Sequence, residues 1–383
     1  YSGQRLIFDA DSHVMELPDW LPSFADAALR ERLHPLALGG AGALAEQAVA
    51  DAADRKRAGT AVAELDATEV LGTKGWAAIG SFDAEERSRV LDVLGFSAQL
   101  VFPTFAASQF VRRGEVDLDL LYDGTDALNR AMAAFCDADS RLLAVATIPW
   151  AVPARTIDSA RRAVEGGCAA VMVPTDLPRG VVAPTHPDHD PLWELLEQAN
   201  VPVVSHIGGG GQPVRPGFHD NGRPVTDFLG GGENVRSKDF LAIQQRPEVF
   251  WGAMVLDGIF DRFPGLMGAS VEEGAMWVVT WMRRLDLAMR FGKSEPPLRD
   301  LRDEPSAYVH RHLRFTPFPG EPVGWMIEQA GDDLFMFSSD YPHPEGTRDP
   351  IARFEATLDV DEQASDRFYS RNFADLYHDA LPT

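Results

Sequence analysis

Asp9-Ala10-Asp11-Ser12-His13 places two carboxylates and an imidazole directly after the apolar run Leu6-Ile7-Phe8. In an extended chain, residues two apart share a face, so the spacing predicts Asp9, Asp11 and His13 side by side where a strand ends. Hard oxygen and borderline nitrogen donors on one face suit a divalent metal. A solvated acidic turn is the ordinary alternative, so the metal reading requires further donors elsewhere. Similar candidates follow other apolar runs. His206 follows Val201-Pro202-Val203-Val204-Ser205, and Glu272 follows the run 266–271. Asp340 and His343 close Phe337-Ser338-Ser339-Asp340-Tyr341-Pro342-His343. Singly, each has a plain use: a histidine bonded to a carbonyl, an aspartate capping a turn. Their common placement at the ends of apolar runs points to chemistry.

The elements that must position these residues follow from the hydrophobic pattern. Strand-like runs precede Asp9 and occupy 99–102, 142–148, 169–173, 201–205, 266–271, 313–316 and 334–337. Helical patterns cover 19–33, 84–94, 117–138, 153–165, 191–198, 248–263, 275–291, 323–330, 349–358 and 361–377. Short, non-alternating apolar strands between helices indicate a parallel sheet buried on both faces. Eight such units predict an α/β fold, a (β/α)8 TIM barrel, with the active site at the C-terminal ends of the strands. A doubly wound open sheet is the alternative, but no Gly-x-Gly-x-x-Gly turn follows the first strand. Residues 1–383 read as one domain, with an Ala-rich helical insertion at 39–70 after the first strand, capping one end.

Gly208-Gly209-Gly210-Gly211 opens a long loop, 208–235. It lacks the Gly-Lys-Ser/Thr of a phosphate loop. It reads instead as a lid hinged beside His206, carrying Arg215, His219 and Arg223 over the barrel mouth. Arg215 and His219, with His343, are the expected substrate contacts. Thr185-His186-Pro187-Asp188-His189-Asp190 is metal-like in composition, but it precedes a helix that Asp190 could cap, and reads as structural.

A net charge of −23 argues against binding a phosphate backbone, and no apolar run is long enough to span a membrane. An anionic substrate would need a local arginine or metal. The N-terminal stretch lacks a basic region followed by an apolar one, and Cys136 and Cys168 read as buried thiols, so a cytoplasmic setting is expected.

Asp-x-His after the first strand, Pro202-Val203-Val204-Ser205-His206-Ile207-Gly208 after the fifth and Phe337 through His343 after the eighth resemble the amidohydrolase superfamily. The branch resembled is the amidohydrolase-related group that includes aminocarboxymuconate-semialdehyde decarboxylase. Phe260-Asp261-Arg262-Phe263-Pro264 and Asn372-Phe373-Ala374-Asp375-Leu376-Tyr377 support the likeness. It implies Asp11, His13, His206 and Asp340 as metal ligands, Asp340 also handling a proton, and Asp9 in support. Two positions depart from the family. Decarboxylase members carry a histidine after strand six, where this chain has Glu272, with Glu273 one register away. Two-metal members carry a carboxylated lysine after strand four, where this chain has Pro174-Thr175-Asp176.

Three carboxylates near one dication require either a protonated Glu272 or a second metal with Glu272 as ligand. The first expectation is therefore a metal-dependent hydrolase of the amidohydrolase superfamily, cleaving an ester, thioester or amide of a small carboxylic acid. The alternative is a metal-dependent non-oxidative decarboxylase of an aromatic or unsaturated acid. Zinc is the first expectation for the metal, manganese or iron the alternatives, with one or two ions. The partner expected is a small-molecule substrate, and the resemblance adds a homodimer.

Overall fold

The computed structural model describes residues 1–36, 38, 41–59, 64–111, 117–177, 180–208, 214–223, 237–292 and 294–381. Seven parallel strands pair in chain order: β1 (Phe8–Val14), β2 (Ala98–Pro103), β3 (Leu142–Thr147), β4 (Ala170–Met172), β5 (Val203–His206), β6 (Gly268–Val271) and β7 (Leu313–Phe315). The segment 334–341 occupies the eighth position. Phe315 N–H donates to the Leu334 carbonyl and Met336 N–H to the Phe315 carbonyl, while Ala10 N–H donates to Phe337 and His13 N–H to Tyr341. It forms isolated bridges rather than a ladder, because Phe337 N–H turns away to the Phe368 carbonyl. The expected barrel therefore closes through an irregular eighth segment.

Around the strands run α1 (Gly42–Ala58), α2 (Ala84–Leu94), α3 (Leu118–Cys136), α4 (Pro153–Glu165), α5 (Asp190–Ala199), α6 (Gln245–Leu256), α7 (Val278–Gly292), α8 (Pro305–His312) and α9 (Val323–Ala330). Alternation along each strand divides the apolar residues between two cores. Ala98, Leu100 and Phe102 of β2 and Leu143 and Val145 of β3 fill the barrel interior with Val204, Ala269, Val271 and Met336. Val101, Leu142, Ala144 and Ala146 face outward onto the helices, against residues such as Leu128, Met132 and Trp193. Burial on both faces explains why these strands read as unbroken apolar runs.

Among the described residues, no helix is long and apolar enough to cross a membrane. In the insertion, α1 buries Ala45, Ala48 and Ala52, spaced as one helical face, and ends at Gly59 with a φ of 63°. Residues 39, 40 and 60–63 of that insertion lie outside the described residues, as do 209–213 and 224–235 of the predicted lid.

Several element expectations are corrected. The helix over 19–33 is instead a 3-10 turn, Leu21–Phe24, and a short helix, Ala27–Arg30. Ala25 is extended between them, and Asp26 caps the second by accepting from Leu29 N–H at 2.8 Å. The helix over 248–263 breaks after α6, where Gly258 adopts a φ of 72°, and resumes as Ile259–Arg262. Asp190 is not the cap of α5. His189 holds that position, and Asp190 Oδ1 accepts from Arg262 at 2.9 Å.

Candidate active site

A change of register in β1 aims the first donors. Asp9 pairs with Gln99 but Ser12 with Val101, so β1 carries one residue more than β2 between the two pairs. Such a bulge reverses the phase of alternation beyond it. Phe8 and Ala10 face the barrel interior, yet so do Asp11 and His13, while Val14 returns to the outer core. The expectation that Asp9 shares their face is therefore corrected. Asp9 points away from the cluster, where its Oδ2 accepts from Gln99 Nε2 at 2.7 Å and from Ser339 Oγ at 2.6 Å. Burial pushes its pKa up to about 7 against those donors.

His206 ends β5 in the interior phase of Val204. Glu272 arrives differently. Strict alternation after Ala269 and Val271 would turn Glu272 outward and Glu273 inward. Glu272 instead has a φ of 53°, in the left-handed region that non-glycine residues rarely adopt, and its N–H donates to Thr316 Oγ1. That turn swings Glu272 into the site. Glu273 faces outward, where its Oε2 accepts from the Ser205 and Ser270 hydroxyls, and burial pushes its pKa up to about 7. Asp340 repeats the device, with a φ of 51° and its N–H donating to the Asp11 carbonyl.

These turns gather the donors in a buried cluster. His13 Nε2 lies 3.2 Å from Asp11 Oδ1 and 3.7 Å from Asp340 Oδ1. His206 Nε2 lies 3.4 Å from Asp11 Oδ1 and 3.3 Å from Glu272 Oε2. Ligand atoms of Asp11, His13, His206 and Glu272 all fall within 4.8 Å of one another, and so do those of His13, Glu272, Asp340 and His343. Burial would raise the Asp11 carboxyl, but His206 and His13 beside it prevail and hold it well below the usual range. Burial and the neighbouring His343 push His13 well below its ordinary value, leaving a neutral ring with a lone pair to offer.

The tautomers are legible. His206 Nδ1 lies 2.9 Å from the Ile207 carbonyl, which can only accept. In the neutral ring the proton is therefore on Nδ1, and Nε2 turns its lone pair toward two carboxylate oxygens. Three acceptors facing one another repel unless a cation lies among them or a second proton sits on His206 Nε2, the state in which His206 lowers the Asp11 carboxyl. The donor set thus fits a divalent ion, with the second nitrogen of His206 oriented as metal-binding histidines commonly are. Thr104 organises the other side. Its hydroxyl donates to the Val14 carbonyl at 2.8 Å, so it accepts from His343 Nε2 at 2.9 Å. His343 Nδ1 then faces Asp340 Oδ1 at 3.1 Å, and the His13 and His343 rings stack at 3.7 Å.

The amidohydrolase family matches this chain over residues 8–378. The chain belongs to that family. Its fold is shared with an amidohydrolase from Mycobacterium avium subsp. paratuberculosis K-10, at a TM-score of 0.73 and 18% identity over 98% of this chain and 99% of that one. A 5-carboxyvanillate decarboxylase from Sphingomonas paucimobilis aligns with a TM-score of 0.60 and 17% identity, over 98% of this chain and 99% of its own. A dihydroxybenzoic acid decarboxylase from Polaromonas sp. JS666, with bound manganese and an inhibitor, gives 0.62 and 16%, over 98% of this chain and 97% of its own.

In this amidohydrolase, six of the residues picked out from sequence come together: Asp11, His13, His206, Glu272, Asp340 and His343. Arg215 is exposed, and His219 Nε2 lies 3.1 Å from Asp239 Oδ1 on the loop rather than in the cluster. Sequence reasoning passed over Thr104, although it follows Pro103 at the end of β2, where functional residues of such barrels collect. It also passed over Arg87. That guanidinium is fully buried and donates to the His13 carbonyl, to Gln99 Oε1 and to the Gly80 carbonyl. A helical arginine carries no sequence sign of that role.

Proposed function

We propose that this amidohydrolase-superfamily enzyme is a divalent-metal-dependent, non-oxidative decarboxylase of an aromatic or unsaturated carboxylic acid. The observation that carries the reading is the compactness of the donor cluster. Ligand atoms of Asp11, His13, His206 and Glu272 lie within 4.8 Å of one another and those of His13, Glu272, Asp340 and His343 do likewise, but the two sets share His13 and Glu272, so neither offers a second ion, at the usual separation of about 3.5–4 Å, four ligands of its own. No lysine follows β4 to bridge a second ion. This reverses the order of the two expectations, since the hydrolase reading leaned on a second metal. The decarboxylase activities of the two full-length structural relatives point the same way.

Asp11, His13 and His206 would hold the ion, with Asp340, whose Oδ1 lies 3.7 Å from His13 Nε2, reaching it from the neighbouring set. When bound, it would supply positive charge to fix the substrate's oxygens and favour electron density moving off the carboxylate. Manganese is the ion we infer, from the oxygen-rich set and the manganese in the Polaromonas relative, with zinc second. Glu272 is the remaining carboxyl of the cluster. Three carboxylates against one dication leave an excess negative charge, which a proton on Glu272 removes. Loss of carbon dioxide breaks the carbon–carbon bond and leaves its electron pair on the ring or alkene carbon. Glu272 gives that carbon its proton, and solvent restores it. His343, held by Thr104, fixes the Asp340 carboxylate. The buried thiols Cys136 and Cys168 accord with a cytoplasmic setting.

Hydroxybenzoic acids supplied to manganese-loaded protein in deuterium oxide test the proposal. Carbon dioxide release with one deuterium at the vacated carbon, at a metal stoichiometry near one, is expected. Hydrolysis of carboxylic esters or amides with no carbon dioxide, at a stoichiometry near two, overturns it.

A further inference from the structure

Beside the cluster lies a pocket of about 240 Å³ between α1 and the segments that follow β1 and β2. Trp76 and Phe105 form one wall, stacked at 5.2 Å and 13°, and the Trp76 indole N–H is fixed on the Glu16 carbonyl at 3.2 Å. The opposite wall is α1, where Ala48 is buried and Leu44, 65% exposed, stands at the rim. Gln47 and Asp51 of the same helix also line the space. A cavity of about 150 Å³ accommodates benzene, so this one takes a substituted ring.

The inner end is shared with the reaction centre. Thr104 and His343 line the pocket, and His343 Nδ1 is 3.1 Å from Asp340 Oδ1, so one imidazole ring separates pocket from cluster. Lys74 lines the same space, half-buried, with its ammonium donating to the Thr347 carbonyl at 3.0 Å and its charge felt by Asp340. Lys74 and His343 are the basic side chains among the described lining residues and Asp51 and Glu345 the acidic ones, Lys74 standing between Glu345 and Asp340 in charge and nearest the inner end. In a chain of net charge −23 with three carboxylates in the cluster, an ammonium at this junction is the local attraction an anionic ligand requires.

We propose that this pocket holds the part of the substrate remote from the reacting carboxyl, a flat apolar group bearing an anionic oxygen that pairs with Lys74. The insertion helix α1 then sets substrate size, and Lys74 sets charge. The inference rests on the reaction centre lying at the Asp11–His13–His206–Asp340 cluster.

Calorimetry and Trp fluorescence on the manganese-loaded protein test it, with 2-naphthoate and the neutral 2-naphthylmethanol as probes. Wild type should bind both and quench, the carboxylate at least tenfold tighter. Lys74→Met should erase that preference while keeping the alcohol within twofold, and Lys74→Arg should restore it. Ala48→Phe should weaken both probes at least tenfold. Leu44→Trp, an exposed change that spares the fold, should do the same. Failure of either probe to bind wild type overturns the proposal. So does naphthoate binding that ignores all four variants, or that disappears only on chelation, which would place it on the metal. Binding that follows the expected pattern in a protein that decarboxylates no acid keeps the pocket and removes the decarboxylase reading.

Discussion

Glu272 and Glu273 adjoin in sequence, and only a left-handed φ of 53° decides which of them meets His206. Their amide variants should therefore separate. Glu272→Gln loses the proton donor, and turnover should fall by about two to four orders of magnitude, the range of general acid catalysis. Glu273→Gln keeps an acceptor for the Ser205 and Ser270 hydroxyls, and kcat should stay within a few-fold of wild type. Steady-state kinetics of the pair read the difference, and equal losses would sink the assignment. Asp340→Asn preserves shape while removing charge at 3.7 Å from His13 Nε2 and 3.1 Å from His343 Nδ1. Activity should drop by about two orders of magnitude or more. Elemental analysis then shows whether the ion is retained on the other ligands or lost with the charge.

Elements hold the site by carrying polar contacts between layers. Arg87 on α2 reaches the His13 carbonyl of β1, and Gln99 of β2 links Arg87 to Asp9, so one chain of hydrogen bonds fixes the bulged strand from behind. At the far end of the barrel, α8 ends at His312, which is buried, stacked on Phe260 at 4.5 Å and bonded through Nδ1 to the Leu266 carbonyl. Burial pushes its pKa down to about 4, with Arg311, Arg314 and His378 adding positive charge nearby and only the Leu266 carbonyl opposing. The unfolded chain therefore binds this proton first, near the ordinary value of 6.5. The group costs nothing above that pH, and stability falls as pH drops from about 6.5 to about 4, by roughly 3 kcal/mol in all. His312→Gln should flatten that slope in chemical denaturation followed across the range. An unchanged slope would assign it to other groups.

The whole molecule concentrates negative charge at one end of a closed barrel, in a chain whose net charge is already −23. A dication relieves repulsion that the fold itself creates, so ion binding and stability are linked. Free manganese at about a hundred times its dissociation constant should add about 2.7 kcal/mol. Calorimetric scans should show the melting temperature rise by several degrees over the chelated protein, and Asp11→Asn should shrink the rise. A melting temperature indifferent to manganese would mean that the cluster holds no ion in the folded state.

The barrel and its donor types were legible in the chain, because burial on both faces writes unbroken apolar runs and because strand ends concentrate chemistry. That Asp11, His13, His206 and Asp340 would stand near one another at one end of the barrel was legible on those grounds together with the family resemblance. Three things were decided only in the tertiary structure. The bulge in β1 set Asp9 apart from Asp11 and His13, which a period of two had joined. The left-handed turn at Glu272 chose between two adjacent carboxylates, a choice made by backbone torsion and by the Thr316 hydroxyl from the next strand. The pocket of α1, Trp76 and Phe105 joins segments distant in sequence, and Lys74 reads as an ordinary surface lysine until the fold sets it beside His343. Local pattern specifies which residues are buried and in what element. Which of them touch depends on register and on packing between elements, and neither is written in any single stretch of the chain.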